Sequence, residues 1–225
     1  MSTIWREARL VAGKDLRVEA RSRVTLQQIV PFGVIVLILF AFAIDPDRNI
    51  LPTVAPGLFW AAVLLASILA VNRSFAIEET NGARDGLRLA GLDGASVFLG
   101  KAAAIAIELV VLEIILGVGV IVLYSVTPHE ALILITAAVA ATIALAATGT
   151  VYGIVAAGLR VRETLVPLLV LPAVTPVMLG ATRAFEAALD GTPSDGWPWV
   201  QLLTACAVLS LIVGVLAFGP LLEEA

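Results

Sequence analysis

The chain has 225 residues with a formal net charge of −4; 60% of its residues are apolar and 14% charged, and its mean hydropathy is +1.03. A soluble domain is about 45–50% apolar and about 25% charged, so most of this surface must meet lipid. A soluble enzyme, a disordered tail and a disulfide-stapled secreted domain are excluded.

The first segment, residues 1–23, reads as a cytoplasmic interfacial helix. Arg6, Arg9, Lys14, Arg17 and Arg21 share one arc of a helical wheel, and Ile4, Trp5, Ala8, Val11, Ala12, Leu16 and Val18 the other. The basic arc suits lipid headgroups, with Trp5, Arg9, Arg17 and Arg21 as its marker residues. No cleavage site follows a short apolar core, so a signal peptide is not expected. Asp15 and Glu19 interrupt the apolar arc. They either pair with neighbouring bases or contact another part of the complex.

A bilayer crossing needs about 20 largely apolar residues. Six runs qualify: Thr25 to Ile44, Leu51 to Val71, Ala102 to Tyr124, Ala131 to Ala157, Leu165 to Thr182, and Trp199 to Leu222. None alternates at period two, which excludes a β-barrel. The expected class is an all-α membrane protein with a six-span domain over residues 24–222 and a short cytoplasmic tail, 223–225. Lys and Arg set the orientation. Arg48 and Arg183 lie on one side, and the other twelve basic residues lie with the N-terminus. Both termini are therefore expected in the cytoplasm.

The stretch from Asn72 to Lys101 is the longest polar one, with Asn81-Gly82 and Asp85-Gly86 as breakers. It is long for a connector and reads as a docking platform for a soluble partner. Glu78 and Asp85 supply charges, Leu87 and Leu89 apolar contact, and Gly82 the turn.

Catalytic constellations are missing. Gly94 to Lys101 has one residue too many between its glycines for a P-loop, and Ala102 stands where a hydroxyl is required. His129 falls in an outer turn, where a lone histidine is usually solvated; it cannot build a zinc site alone. Cys206 cannot form an internal disulfide and suits a small buried apolar position. Glu108 and Glu113 lie inside the third span, where a charge costs about 2.5–3.5 kcal/mol. Five residues apart, they point about 140° from one another and cannot share one small site. They are intramembrane polar candidates, either for transport or for hydrogen bonding within the bundle. Gly149 and Gly153 form a small-xxx-small pair. Pro167, Pro172 and Pro176 predict a kinked fifth span, followed by a polar outer segment from Arg183 to Pro198.

Several motifs together resemble a known family. Ala55-Pro56-Gly57-Leu58-Phe59-Trp60 running into Arg73-Ser74-Phe75 is similar to the second span of the haem exporter protein B family. Glu78, Gly82, Asp85, Leu87 and Lys101 resemble its cytoplasmic loop, Asp15 to Arg23 its basic N-terminal segment, and Leu171-Pro172 through Pro176 and Ala181-Thr182 its fifth span. Arg84 and Gly91 depart from the pattern.

The resemblance implies an ABC-2 exporter-like permease subunit for cytochrome c biogenesis in the bacterial inner membrane. It would couple a separate ATPase to haem delivery or to release of a haem-loaded chaperone. Implied partners are an ABC ATPase subunit, a haem-handling membrane subunit, a small accessory membrane subunit and a periplasmic haem chaperone. Two permease copies per complex are expected and no nucleic acid. No catalytic, cofactor or metal residues are assigned, and haem would enter only in the complex. An ABC-2 exporter of a lipid or other small molecule, and a non-conducting coupling or scaffold subunit, stay open beside this.

Overall fold

In lipid every backbone N–H and C=O must be satisfied within the segment, so apolar runs become helices. The computed structural model describes residues 2–23, 25–44, 50–80, 91–157 and 162–224, and among them no strand occurs. The elements are α1 (Ser2–Ser22), a π turn (Thr25–Ile29), α2 (Val30–Ala43), α3 (Leu51–Thr80), α4 (Gly94–Tyr124), α5 (Ala131–Ala157), α6 (Arg162–Asp190) and α7 (Pro193–Glu224). The protein is an all-α membrane protein.

Five helices, α3 to α7, are each long and apolar enough to cross a membrane. The first expected span is less regular. Its α-helical part, α2, has 14 residues, and a helix of that length covers only about 21 Å. The π turn extends it toward α1, from which it is bent by 57°. Counting this broken segment, the bundle has up to six spans.

Two expected boundaries are corrected. Both ends of the Asn72–Lys101 stretch are helical, since α3 continues to Thr80 and α4 begins at Gly94. Asp93 caps α4 by accepting the Ala95 N–H at 3.2 Å. Residue type explains the error: Asn72, Arg73 and Lys101 look like the ends of apolar runs, yet a helix protruding from the bilayer keeps its geometry while its composition changes. Gly91, where the resemblance departs, has φ +62°, a value closed to proline.

Likewise, the expected polar outer segment from Arg183 to Pro198 is carried by the ends of two helices. Helix α6 runs through all three prolines to Asp190, and α7 begins at Pro193. Gly191, at φ +70°, makes the left-handed turn between them, and the Thr192 N–H donates to the Ala187 carbonyl at 2.9 Å.

Helices α3 and α5 form the centre: 56% of the most apolar window of each is buried, against 22% for α7. Small residues on α5 permit this. A β-carbon on Gly149 would come within 2.6 Å of Val71, and one on Gly153 within 2.3 Å of the Phe75 ring. The small-xxx-small pair is thus the face of α5 that receives α3. An aromatic cluster of Phe59, Trp60 and Phe185, with centroids 5.1 to 5.3 Å apart, ties α3 to α6. Tyr124 donates to the Leu37 carbonyl at 2.8 Å and closes α4 onto α2. Outside, Ile114, Val122 and Leu216 are among many exposed large apolar residues, a surface stable only against lipid.

Candidate functional site

The least expected feature is a buried lysine where three helices meet. Lys101 lies in the second turn of α4 and is 1% exposed. An ammonium withdrawn from water costs several kcal/mol unless compensated. Its Nζ lies 3.5 Å from Asp15 Oδ2 of α1 and 4.7 Å from the centroid of the Phe75 ring of α3, a cation–π geometry. Asp15 also meets Lys14 at 2.8 Å. The Phe75 ring in turn occupies the space left open by Gly153 of α5.

Neighbouring contacts fix α1 to the same end of α4. A β-carbon on Gly100 would lie 2.6 Å from both the Ala8 carbonyl oxygen and Val11 Cβ, so only glycine lets the two helices approach this closely. Ser96 Oγ lies 2.9 Å from Glu7 Oε2. Glu19 accepts the Thr25 N–H, and Thr25 Oγ1 is 3.4 Å from Glu108 Oε2. Of the two expectations for the acids on the apolar arc, pairing with a neighbouring base holds for Asp15, which meets Lys14 and also reaches α4, while Glu19 caps the entry to the π turn. The apolar residues Ala8 and Val11 pack against α4, whereas Trp5, Arg9, Arg17 and Arg21 are exposed.

Gly94 to Lys101, the P-loop near-miss, is therefore the first two turns of a packed helix. Phe75 and Lys101 stand in the motifs of the resemblance, but the sequence does not show that they meet or that Lys101 is buried, and Ser96 is not singled out at all. The one signal was a lysine leading directly into an apolar run, where a boundary residue and a buried partner look alike.

Glu108 and Glu113 do not meet. Glu108 belongs to the α1 end through Thr25, whereas Glu113 is 8% exposed and takes a hydrogen bond from Thr142 Oγ1 at 2.7 Å. Glu113 borders an apolar groove of about 410 Å³, lined also by Phe59, Ile114, Ile135, Val139 and Phe185. Of the proposed docking residues, Glu78 falls in the last turns of α3 with its side chain outside the described residues; Gly82, Asp85, Leu87 and Leu89 also lie outside them.

His129 is exposed but held in place. Its Nδ1 lies 2.6 Å from the Leu189 carbonyl, which assigns the ring proton to that nitrogen. The His129 and Glu130 N–H groups both donate to Ala188 O. His129 is thus the expected exposed loop residue and, in addition, a clasp on the C-terminal end of α6. Cys206 is half-buried in α7.

These elements define a multi-span helical membrane protein whose terminal amphipathic helix is locked onto the bundle. Residues 7–224 match the family described as CcmB protein, and the chain belongs to that family. It is 31% identical over 208 residues to heme exporter protein B of Escherichia coli K12, covering 92% of this chain and 93% of that one. It is 30% identical over 190 residues to heme exporter protein B of Bradyrhizobium diazoefficiens, covering 83% of each. The protein of the same name from Pseudomonas aeruginosa is 29% identical over 88% of this chain and 90% of its own.

Proposed function

We propose that this chain is the permease subunit of an ABC-type haem exporter in the bacterial inner membrane. It transmits the stroke of a separate ATPase to haem delivery, or to release of a haem-loaded chaperone. The observation that carries this is the convergence of α1, α3 and α4 on Lys101. Helices α3 and α4 are the two stems of the segment 81–90. A push on that segment is received by one rigid junction, which also grips α1 and, through Phe75 and Gly153, the central helix α5.

The N-terminal end is cytoplasmic, because the basic residues cluster there. The chain itself carries out no hydrolysis. It works with an ATPase subunit, a haem-handling membrane subunit, a small accessory subunit and a periplasmic haem chaperone, with two permease copies per complex. The proposal is supported by similarity to heme exporter protein B of two bacteria over most of each chain.

The test is co-purification of the intact chain from its native membrane with its neighbouring gene products, followed by haem spectroscopy. Recovery of an ATP-binding subunit and a haem signal that changes on ATP addition supports the proposal. Recovery of neither would sink it.

A second reading, export of a lipid or other small molecule, is favoured by one feature: the groove beside Glu113, lined by the exposed residues Ile114, Ile135 and Val139. That opening would let an amphiphile enter sideways from the bilayer.

A further inference from the structure

A second groove lies at the α1 end of the bundle, on a different face from Glu113. It has a volume of about 420 Å³ and is walled by Ala8 and Ala12 on α1, Ala103 and Ala106 on α4, Ile143 on α5 and Leu211 on α7. Its origin is local. Gly100 brings α1 hard against α4, and the alanines that follow on α4 are too small to fill the space beside that contact.

Water does not settle in such a place. A buried water needs about two to four polar partners, and these six wall residues offer only methyl and methylene groups. Three of the four helices that form it are long and apolar enough to cross a membrane, so an acyl chain is the apolar group within reach. Leu99, Ala102 and Ala146 complete the apolar wall, and the two other lining residues differ in kind. Trp5, 65% exposed, and Arg9, also exposed, both border the groove from α1. Arg9 forms no ion pair among the described residues. An indole and a guanidinium beside an apolar slot match the two halves of a lipid: the ring sits at headgroup level, and the guanidinium takes a phosphate oxygen pair. Negative charge on the ligand is favoured because Arg6 is exposed one turn earlier on α1.

We propose that the groove between α1, α4, α5 and α7 binds one anionic phospholipid, with an acyl chain along Ala103 and Ala106 and the headgroup phosphate at Arg9. The lipid wedges α1 to the bundle beside the Lys101 junction. The site does not depend on what the complex exports.

The test uses the full chain in a neutral detergent, offered equal amounts of palmitoyl-oleoyl phosphatidylglycerol and phosphatidylcholine and read by native mass spectrometry after stepwise delipidation. One phosphatidylglycerol per chain should survive in preference to phosphatidylcholine. Arg9→Gln should lower that preference about fivefold, the effect of one basic residue near a membrane surface. Arg183→Gln at the far end of α6 should leave it unchanged. Ala106→Phe, which fills the slot, should remove bound lipid of both kinds. Should Ala106→Phe not fold, the comparison of Arg9→Gln with Arg183→Gln decides alone. An unchanged preference in Arg9→Gln, lipid retained by folded Ala106→Phe, or a retained mass equal to a second copy of the chain would each overturn the proposal.

Discussion

The ring of Phe75 in α3 occupies the place where Gly153 of α5 would carry a side chain; a β-carbon there would come within 2.3 Å of it. The same ring also meets the Lys101 ammonium, 4.7 Å from its centroid. One absent methyl group thus sets the position of a buried charge.

Gly153→Ala should therefore do more than crowd the core. Overpacking of this kind costs typically about 1–3 kcal/mol, and the displaced ring withdraws support from Lys101. The variant should unfold at lower temperature in detergent, and Phe75→Leu in the same chain should restore part of the loss. If Gly153→Ala is as stable as the parent, the close approach is not a constraint.

The Lys101–Asp15 contact should show an asymmetry. Asp15→Ala leaves the ammonium buried with one compensating group fewer, at a cost of about 1–3 kcal/mol. Lys101→Met removes the charge and keeps the volume, so it should be better tolerated. A double-mutant cycle read by thermal unfolding checks this: the double variant should lose less than the sum of the single losses. Strict additivity would show that the two residues act independently.

Docking of the ATPase is tested on the segment between α3 and α4. Truncating a buried charged partner at an interface costs about 2–5 kcal/mol. Glu78→Lys combined with Asp85→Lys should abolish co-purification of the ATPase while the chain still inserts into membranes, and Gly82→Pro should act similarly. Wild-type recovery of the ATPase by the double reversal would move the docking surface elsewhere, with α1 the next segment to test.

Topology is open to direct measurement. Reporter fusions after Asn49, His129 and Ser194 should read periplasmic, and those after Asp85 and Arg162 cytoplasmic. A cytoplasmic signal from any of the three outer positions would overturn the proposed orientation and span count.

His129→Ala should leave haem transfer intact, because the ring holds α6 and no haem contact is assigned to it. The loss of one hydrogen bond to Leu189 O should instead lower stability by about 0.5–1.5 kcal/mol. Loss of haem-dependent function at normal protein level would give His129 a role beyond the clasp.

The sequence by itself determined the solvent, the all-helical class and most of the helix positions. These follow from additive quantities, namely apolar content, run length and the distribution of Lys and Arg, which need no knowledge of neighbours. The apolar run from Ala131 to about Ala157 is one helix in the structure for this reason. Where α3 and α4 end was not legible, because hydropathy marks the edge of the bilayer and not the end of a helix that projects beyond it. Only the tertiary structure decided that Lys101 is buried, that Asp15 faces it and which partners Glu108 and Glu113 each take. Those facts depend on which residues from distant parts of the chain arrive at one point. In this chain the arrival is set by missing atoms: Gly100 admits α1 and Gly153 admits Phe75, and a glycine in a helix does not announce which partner it has been left small to receive.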